Sequence, residues 1–89
     1  MRVDLYLKNT GLVPRRSLAK EACEAGLVMV NGKPAKPATE VRVGDRLELR
    51  VGMRVAEYEV LGVPARPVAK AAREQYVKCL RSERMQEDW

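Results

Sequence analysis

The residues of this chain best suited to chemistry are cations, and their spacing suits phosphate binding rather than catalysis. Arg15, Arg16 and Lys20 fall within six residues of one another, Arg2 precedes them, and Lys33 and Lys36 lie just past Asn31-Gly32. A guanidinium presents a planar fork that can hold two phosphate oxygens, and a lysine ammonium adds a point charge. Asp4 is the one acid near Arg2. A carboxylate repels phosphate, so Asp4 is expected to orient an arginine, against the plainer reading of an exposed Arg2–Asp4 surface pair worth little. Ser17 could bond a phosphate or cap the start of a helix. No histidine is present, which removes the commonest general base and metal ligand. Cys23 and Cys79 are far apart and have no partner at metal-ligand spacing. Both are expected as buried, small apolar groups in a reducing compartment. No catalytic residue, metal site or cofactor is indicated.

The 89 residues carry 17 Lys and Arg against 12 Asp and Glu, a net charge of +5. The excess is uneven. Residues 1–36 hold seven cations and three anions, net +4, whereas residues 37–89 hold ten and nine, net +1. A solvated, charge-mixed surface would not segregate in this way. The basic residues of the second half alternate with acids and read as a solvated face, with Arg73, Lys78, Arg81 and Arg84 as secondary contacts at most. A chain of this length has room for one small core, and with no Phe its interior must be aliphatic, with Tyr6 and Tyr58 as core members. No apolar run is long enough to span a membrane, and the start Met1-Arg2-Val3-Asp4 lacks a signal-peptide core, so a cytoplasmic protein is expected.

The elements that must position these cations can be read in order. Val3, Leu5, Tyr6 and Leu7 suggest a helix of one or two turns, in which Val3 and Leu7 stack at i, i+4. Asn9-Thr10-Gly11 ends it. Pro14 suits the first turn of a second helix. At 100° per residue, Leu18, Ala19, Ala22, Cys23 and Ala25 share one inward face, Arg16 and Lys20 lie one turn apart on its flank, and Glu21 and Glu24 oppose them. Gly26 is the expected stop. Leu27 to Val30 then lead into Asn31-Gly32, a type I′ hairpin signal, and Pro34 confines the return segment to an edge or loop. Closing the turn is the first duty of Asn31 and Gly32, and in doing so they set where Lys33 and Lys36 point. Leu47, Leu49 and Val51 alternate with Arg46, Glu48 and Arg50, and a further strand spans Val55 to Val60. Gly62 to Pro67 reads as a linker. From Val68, the spacing of Ala69, Ala72, Tyr76, Cys79 and Leu80 predicts a C-terminal helix, fraying over Arg84 to Trp89. The fold class is α+β: two short N-terminal helices packed on a small twisted antiparallel sheet, plus that C-terminal helix.

Several of these segments together resemble a known family. Arg2-Val3-Asp4-Leu5-Tyr6-Leu7, Arg15-Arg16-Ser17-Leu18-Ala19, Gly26-Leu27-Val28-Met29-Val30-Asn31-Gly32 and Val43-Gly44-Asp45 are similar to the RNA-binding domain first seen in the fourth small-subunit ribosomal protein, the S-four domain. Leu5 departs from the pattern, where the family often carries Lys. The resemblance implies an S-four-type domain over residues 1–62, with 63–89 a linker and helix packing on the same single domain. It implies an L-shaped surface for structured RNA, to which Arg2, Asp4, Arg15, Arg16, Ser17, Lys20, Asn31, Gly32, Lys33 and Lys36 belong. With no interleaved aromatic platform, such a surface reads RNA by shape and phosphate geometry.

At this length the chain is most similar to the small S-four proteins of bacterial ribosome-associated quality control. A heat-shock relative that handles dissociated large subunits carrying peptidyl-tRNA comes second; it usually has a longer basic C-terminal extension. The resemblance implies a monomeric, non-enzymatic factor on the large ribosomal subunit, contacting its rRNA and tRNA or peptidyl-tRNA. Its partner would be a tailing factor of the RqcH/NEMF type, which adds untemplated C-terminal residues. Two other classes compete: a detached RNA-guide domain acting with a separate RNA-modifying enzyme, and a protein-only adaptor.

Overall fold

The computed structural model describes residues 1–84. Helix α1 spans Val3–Asn9 and buries Val3, Tyr6 and Leu7, the i, i+3, i+4 set of one face. The first N–H groups of a helix have no partner within it, and here a distant loop supplies them. Val3 N–H donates to the Thr39 carbonyl (2.8 Å) and Asp4 N–H to that of Pro37 (3.3 Å), while Leu5 N–H donates to the Asp4 carboxylate (2.7 Å). Arg2 also bridges to Glu40 as an isolated antiparallel pair. The loop after Lys36 is thereby fastened to the start of α1.

Helix α2 spans Arg16–Glu24, so Pro14 precedes its first turn rather than occupying it. Of the five residues expected to face inward, Ala19 and Cys23 are buried, whereas Leu18 is 43% exposed and Ala25 is exposed. The helix meets α1 along Arg16, Ala19 and Cys23, which rotates Leu18 and Ala25 away from the core. Gly26 (φ +75°) ends it, and Leu27 N–H returns to the Ala22 carbonyl at 2.9 Å.

A five-stranded antiparallel sheet follows, in the order β2-β1-β3-β4-β5: β1 Val28–Val30, β2 Lys33–Pro34, β3 Arg46–Val51, β4 Arg54–Val60 and β5 Val77–Arg84. The register Val28↔Leu49, Val30↔Leu47 and Leu47↔Tyr58 places one set of side chains on the helix side. These meet Val3, Tyr6, Leu7 and Ala19 in a single core. Full burial of residues such as Leu7 and Leu47 contributes about 1.5–3 kcal/mol each. The two-residue β2 is an edge, as Pro34 requires.

The expected C-terminal helix is not formed. A 3₁₀ helix occupies Lys70–Gln75, and Val77–Arg84 is a strand antiparallel to β4. The helix cannot continue because the Tyr76 carbonyl is already occupied by Leu61 N–H (2.9 Å), Gly62 N–H (3.2 Å) and the Tyr6 hydroxyl (2.6 Å). Beyond it, pairing with β4 satisfies backbone groups that would otherwise leave β4 as a bare edge. Cys79, expected buried, is exposed for the same reason, since it lies on the edge strand. The fraying expected over Arg84–Trp89 falls, past Arg84, outside the described residues. The connection from β4 to β5 is held by the buried Asn9, whose side-chain amide donates to the Pro64 carbonyl (3.0 Å) and whose own carbonyl accepts Val68 N–H (2.9 Å).

Two buried groups titrate abnormally. Burial pushes the Tyr6 hydroxyl up to about 12. Burial, with smaller contributions from Asp4 and Glu24, pushes the Cys23 thiol up to about 11. Cys23 is therefore an inert core group.

Candidate nucleic-acid interface

Two basic residues of the N-terminal half, Arg2 and Arg16, converge on one buried carboxylate. Arg2 grips Asp4 with two donors, Nε to Oδ1 at 3.1 Å and Nη2 to Oδ2 at 3.0 Å. Arg16 approaches the same carboxylate from α2, with Nε 3.5 Å from Oδ2. The Asp4 side chain is 2% exposed, while those of Arg2 and Arg16 are 49% and 50% exposed. Asp4 therefore lies underneath, and the unused N–H groups of both guanidinium forks face solvent. Two long side chains that would otherwise sample many rotamers are held in place before any ligand arrives, which lowers the ordering cost of binding.

Other expected residues lie on α2 or on the loop fastened to α1, and none of them forms an ion pair with Asp4. Lys20 is exposed one turn along α2 from Arg16, and Arg15 is the exposed residue at the N-cap of that helix. Ser17 is exposed and its hydroxyl makes no hydrogen bond among the described residues, so it does not cap α2. Lys36 is tied in through backbone: the next residue, Pro37, accepts Asp4 N–H, and Lys36 N–H donates to the Thr39 hydroxyl at 2.8 Å.

The hairpin tip stands apart. Asn31 (φ +51°) and Gly32 (φ +80°) form the turn, and the Asn31 side chain ties it to the start of β3. Its Oδ1 accepts Arg46 N–H at 2.9 Å and its Nδ2 donates to Asp45 Oδ1 at 3.1 Å. Asp45 in turn accepts Arg42 N–H at 2.9 Å. Lys33 is exposed on β2. Among the described residues, no hydrogen bond or ion pair links Asn31, Gly32 or Lys33 to the Asp4 cluster. Sequence reasoning did not single out Arg42 and Arg46, which this turn places beside the hairpin; the Gly44-Asp45 turn signal was the available clue.

The far side of the sheet is electrostatically different. Several cross-strand neighbours there pair opposite charges, Arg46↔Glu59↔Lys78 and Glu57↔Arg81, although Glu48 stands opposite Glu57 and Arg50 opposite Val55, and the Glu57 carboxylate lies 3.9 Å from Arg46 and 3.7 Å from Arg81. Arg46, Lys78 and Arg81 on that face are matched by acids, whereas Arg2 and Arg16 share a single buried carboxylate. No group of three or more potential metal ligands occurs among the described residues.

Two short helices on a small antiparallel sheet, with two half-exposed arginines braced on a buried acid, place the chain among small α+β domains, and comparison with known proteins gives the family. The S4 domain family matches residues 1–47. The RQC P-site tRNA stabilizing factor of Listeria innocua is 39% identical over 87 residues, covering 98% of this chain and 94% of that protein. Its counterpart in Helicobacter pylori strain J99 is 44% identical over 64 residues, 72% and 76% of the two chains. The trimeric structure of Vibrio cholerae Heat Shock Protein 15 superposes with a TM-score of 0.84 at 26% identity, covering 89% of this chain and 80% of that one. The chain belongs to the S4-domain family of RQC P-site tRNA stabilizing factors.

Proposed function

We propose that this protein is a non-enzymatic RNA-binding factor that acts on the large ribosomal subunit in ribosome quality control. In this reading it contacts rRNA and tRNA, and holds peptidyl-tRNA on stalled large subunits while a partner of the RqcH/NEMF type extends the nascent chain without a template. The observation that carries the reading is the Arg2–Asp4–Arg16 unit: both forks are oriented, half-exposed and drawn from different helices, as a rigid phosphate-backbone contact requires. Arg15, Ser17, Lys20 and Lys36 extend that surface. Lys33, with Asn31 and Gly32 holding the turn, adds a more distant contact. The names of the relatives, which refer to a P-site tRNA, support the tRNA component. Residues 1–62 would carry the RNA-binding unit, and the remainder completes its sheet.

Sedimentation of a cell lysate through a sucrose gradient tests the proposal. The protein is expected with free large subunits bearing peptidyl-tRNA and not with intact ribosomes, and Arg16→Ala is expected to move it to the top of the gradient. Equal association with all ribosomal particles would contradict the role. The likeness to Heat Shock Protein 15 favours, as a second reading, rescue of dissociated large subunits without tailing. Co-purification of the tailing partner in the same fractions distinguishes the two.

A further inference from the structure

The β3–β4 end of the sheet carries the one in-register pair of cations among the described strands. Across β3, β4 and β5 the cations Arg46, Lys78 and Arg81 each face an acid on a neighbouring strand. At the tip, Arg54 and Arg84 stand directly opposite one another. Like charges in register across an antiparallel pair destabilise it. No carboxylate among the described residues forms an ion pair with either, and the one polar side-chain partner is the Ser82 hydroxyl, 3.3 Å from Arg54 Nη1. Both arginines are exposed.

Their direction follows from the register. Val51↔Arg54 and Arg54↔Arg84 continue the alternation of Leu47 and Leu49, so the pair shares the helix side of the sheet with the Asp4 cluster. A groove of about 530 Å³ runs from α2, at Leu18, Glu21 and Ala22, past Leu27 to Arg50 and Val51 near the tip. That lining is mostly apolar and includes the acid Glu21, which favours two separate phosphate contacts over one continuous track. The molecule is elongated, 43 Å in its longest dimension, which gives the patches room to act separately.

We propose that Arg54 and Arg84 form a second phosphate-binding contact, so that RNA is held at two discrete points on one face with an apolar gap between them. This rests on the RNA-binding reading above. In the free protein both groups are exposed and solvent screens their repulsion, and a phosphate placed between the two guanidinium groups would reverse it.

The test is the salt dependence of binding to purified large ribosomal subunits, comparing the unaltered protein, Arg16→Ala and the double variant Arg54→Gln/Arg84→Gln. Each lost phosphate contact lowers the slope of log affinity against log salt by roughly 0.7–0.9, so the double variant, which gives up the one phosphate held between the pair, should lose about that much. Its melting temperature should be unchanged or raised, since the repelling pair is gone. An unchanged slope for the double variant, with a reduced slope for Arg16→Ala, overturns the second contact and leaves the RNA reading standing. Unchanged slopes in both variants overturn the RNA reading as well. Weaker binding at an unchanged slope would assign the tip to a non-ionic contact and also overturn the proposal.

Discussion

Asp4 and Arg16 join the two helices of the basic face, with Arg16 Nε 3.5 Å from a carboxylate that is almost wholly buried. The bond is asymmetric: the acid is inside and half of the arginine is outside. Removing the acid and removing the arginine should therefore have different consequences. Asp4→Asn strips the buried end of both arginine contacts and weakens the bond to Leu5 N–H, so we expect a loss of about 2 kcal/mol, or roughly 8–16 °C in melting temperature. Arg16→Ala removes one exposed partner and should cost less than about 1 kcal/mol. Urea unfolding of the two variants checks the ranking.

The Tyr6 hydroxyl gives the fold a dependence on alkaline pH. Its folded value is raised by burial to about 12 from the usual 10.0. Between these values the unfolded tyrosine loses its proton while the folded one keeps it, so the folded state binds more protons and stability falls as pH rises from 10 to 12. The contribution reaches roughly 2–3 kcal/mol at the upper end. Tyr6→Phe should remove this part of the slope and leave the part due to Cys23, whose thiol is raised from 9.0 to about 11. It should cost about 1 kcal/mol at neutral pH, since the Tyr76 carbonyl keeps its bonds from Leu61 and Gly62. Denaturant unfolding of both proteins from pH 9 to 12 reads both effects.

The hairpin turn should be sensitive at two positions for different reasons. A Cβ added at Gly32 would meet only open space, but φ there is +80°, so Gly32→Ala should cost about 1–2 kcal/mol through backbone strain alone. Asn31→Ala loses the bonds to Arg46 N–H and Asp45 and keeps a positive φ that Ala disfavours, for a loss of about 2 kcal/mol or more. Asn31→Gly should recover the backbone part only. Thermal unfolding of the three variants separates the terms.

The two cysteines should differ in reactivity. Cys79 lies exposed on the edge strand, and Cys23 is buried with its thiol pushed up to about 11. Brief alkylation of the native protein at pH 8, followed by mass spectrometry, should find one adduct, on Cys79. Labelling of Cys23 should require denaturant.

How legible these features were in the sequence depended on whether their causes were local. Val3, Tyr6 and Leu7, the glycine stop at Gly26, the Asn31-Gly32 turn and the alternation through Leu47 and Leu49 all follow from the preferences of short segments, and the fold retains them. The segment from Val68 misled because Ala69, Ala72, Tyr76 and Cys79 fit a helical period by spacing alone. What decides it is remote: Tyr6 and Leu61 claim the Tyr76 carbonyl, and β4 offers an edge. At the site, the cations were visible as composition, and Arg16 and Lys20 as one flank of a helix. That Asp4 is buried could not be read, because its cover comes from the loop at Pro37–Thr39, more than thirty residues away. The separation of the hairpin tip from the Asp4 cluster was hidden for the same reason, since Asn31 finds its partners at Asp45 and Arg46.

Arg2 and Arg16, braced by Asp4, are proposed to grip an RNA phosphate backbone, and on this the functional reading turns. Binding of purified large subunits by Arg2→Ala, Arg16→Ala and the double variant, measured across a salt series, tests it most directly. Each single variant should lower the slope of log affinity against log salt by roughly 0.7–0.9 and the double variant by about twice that, all three remaining folded. Folded variants that bind with the original affinity and slope would contradict the account.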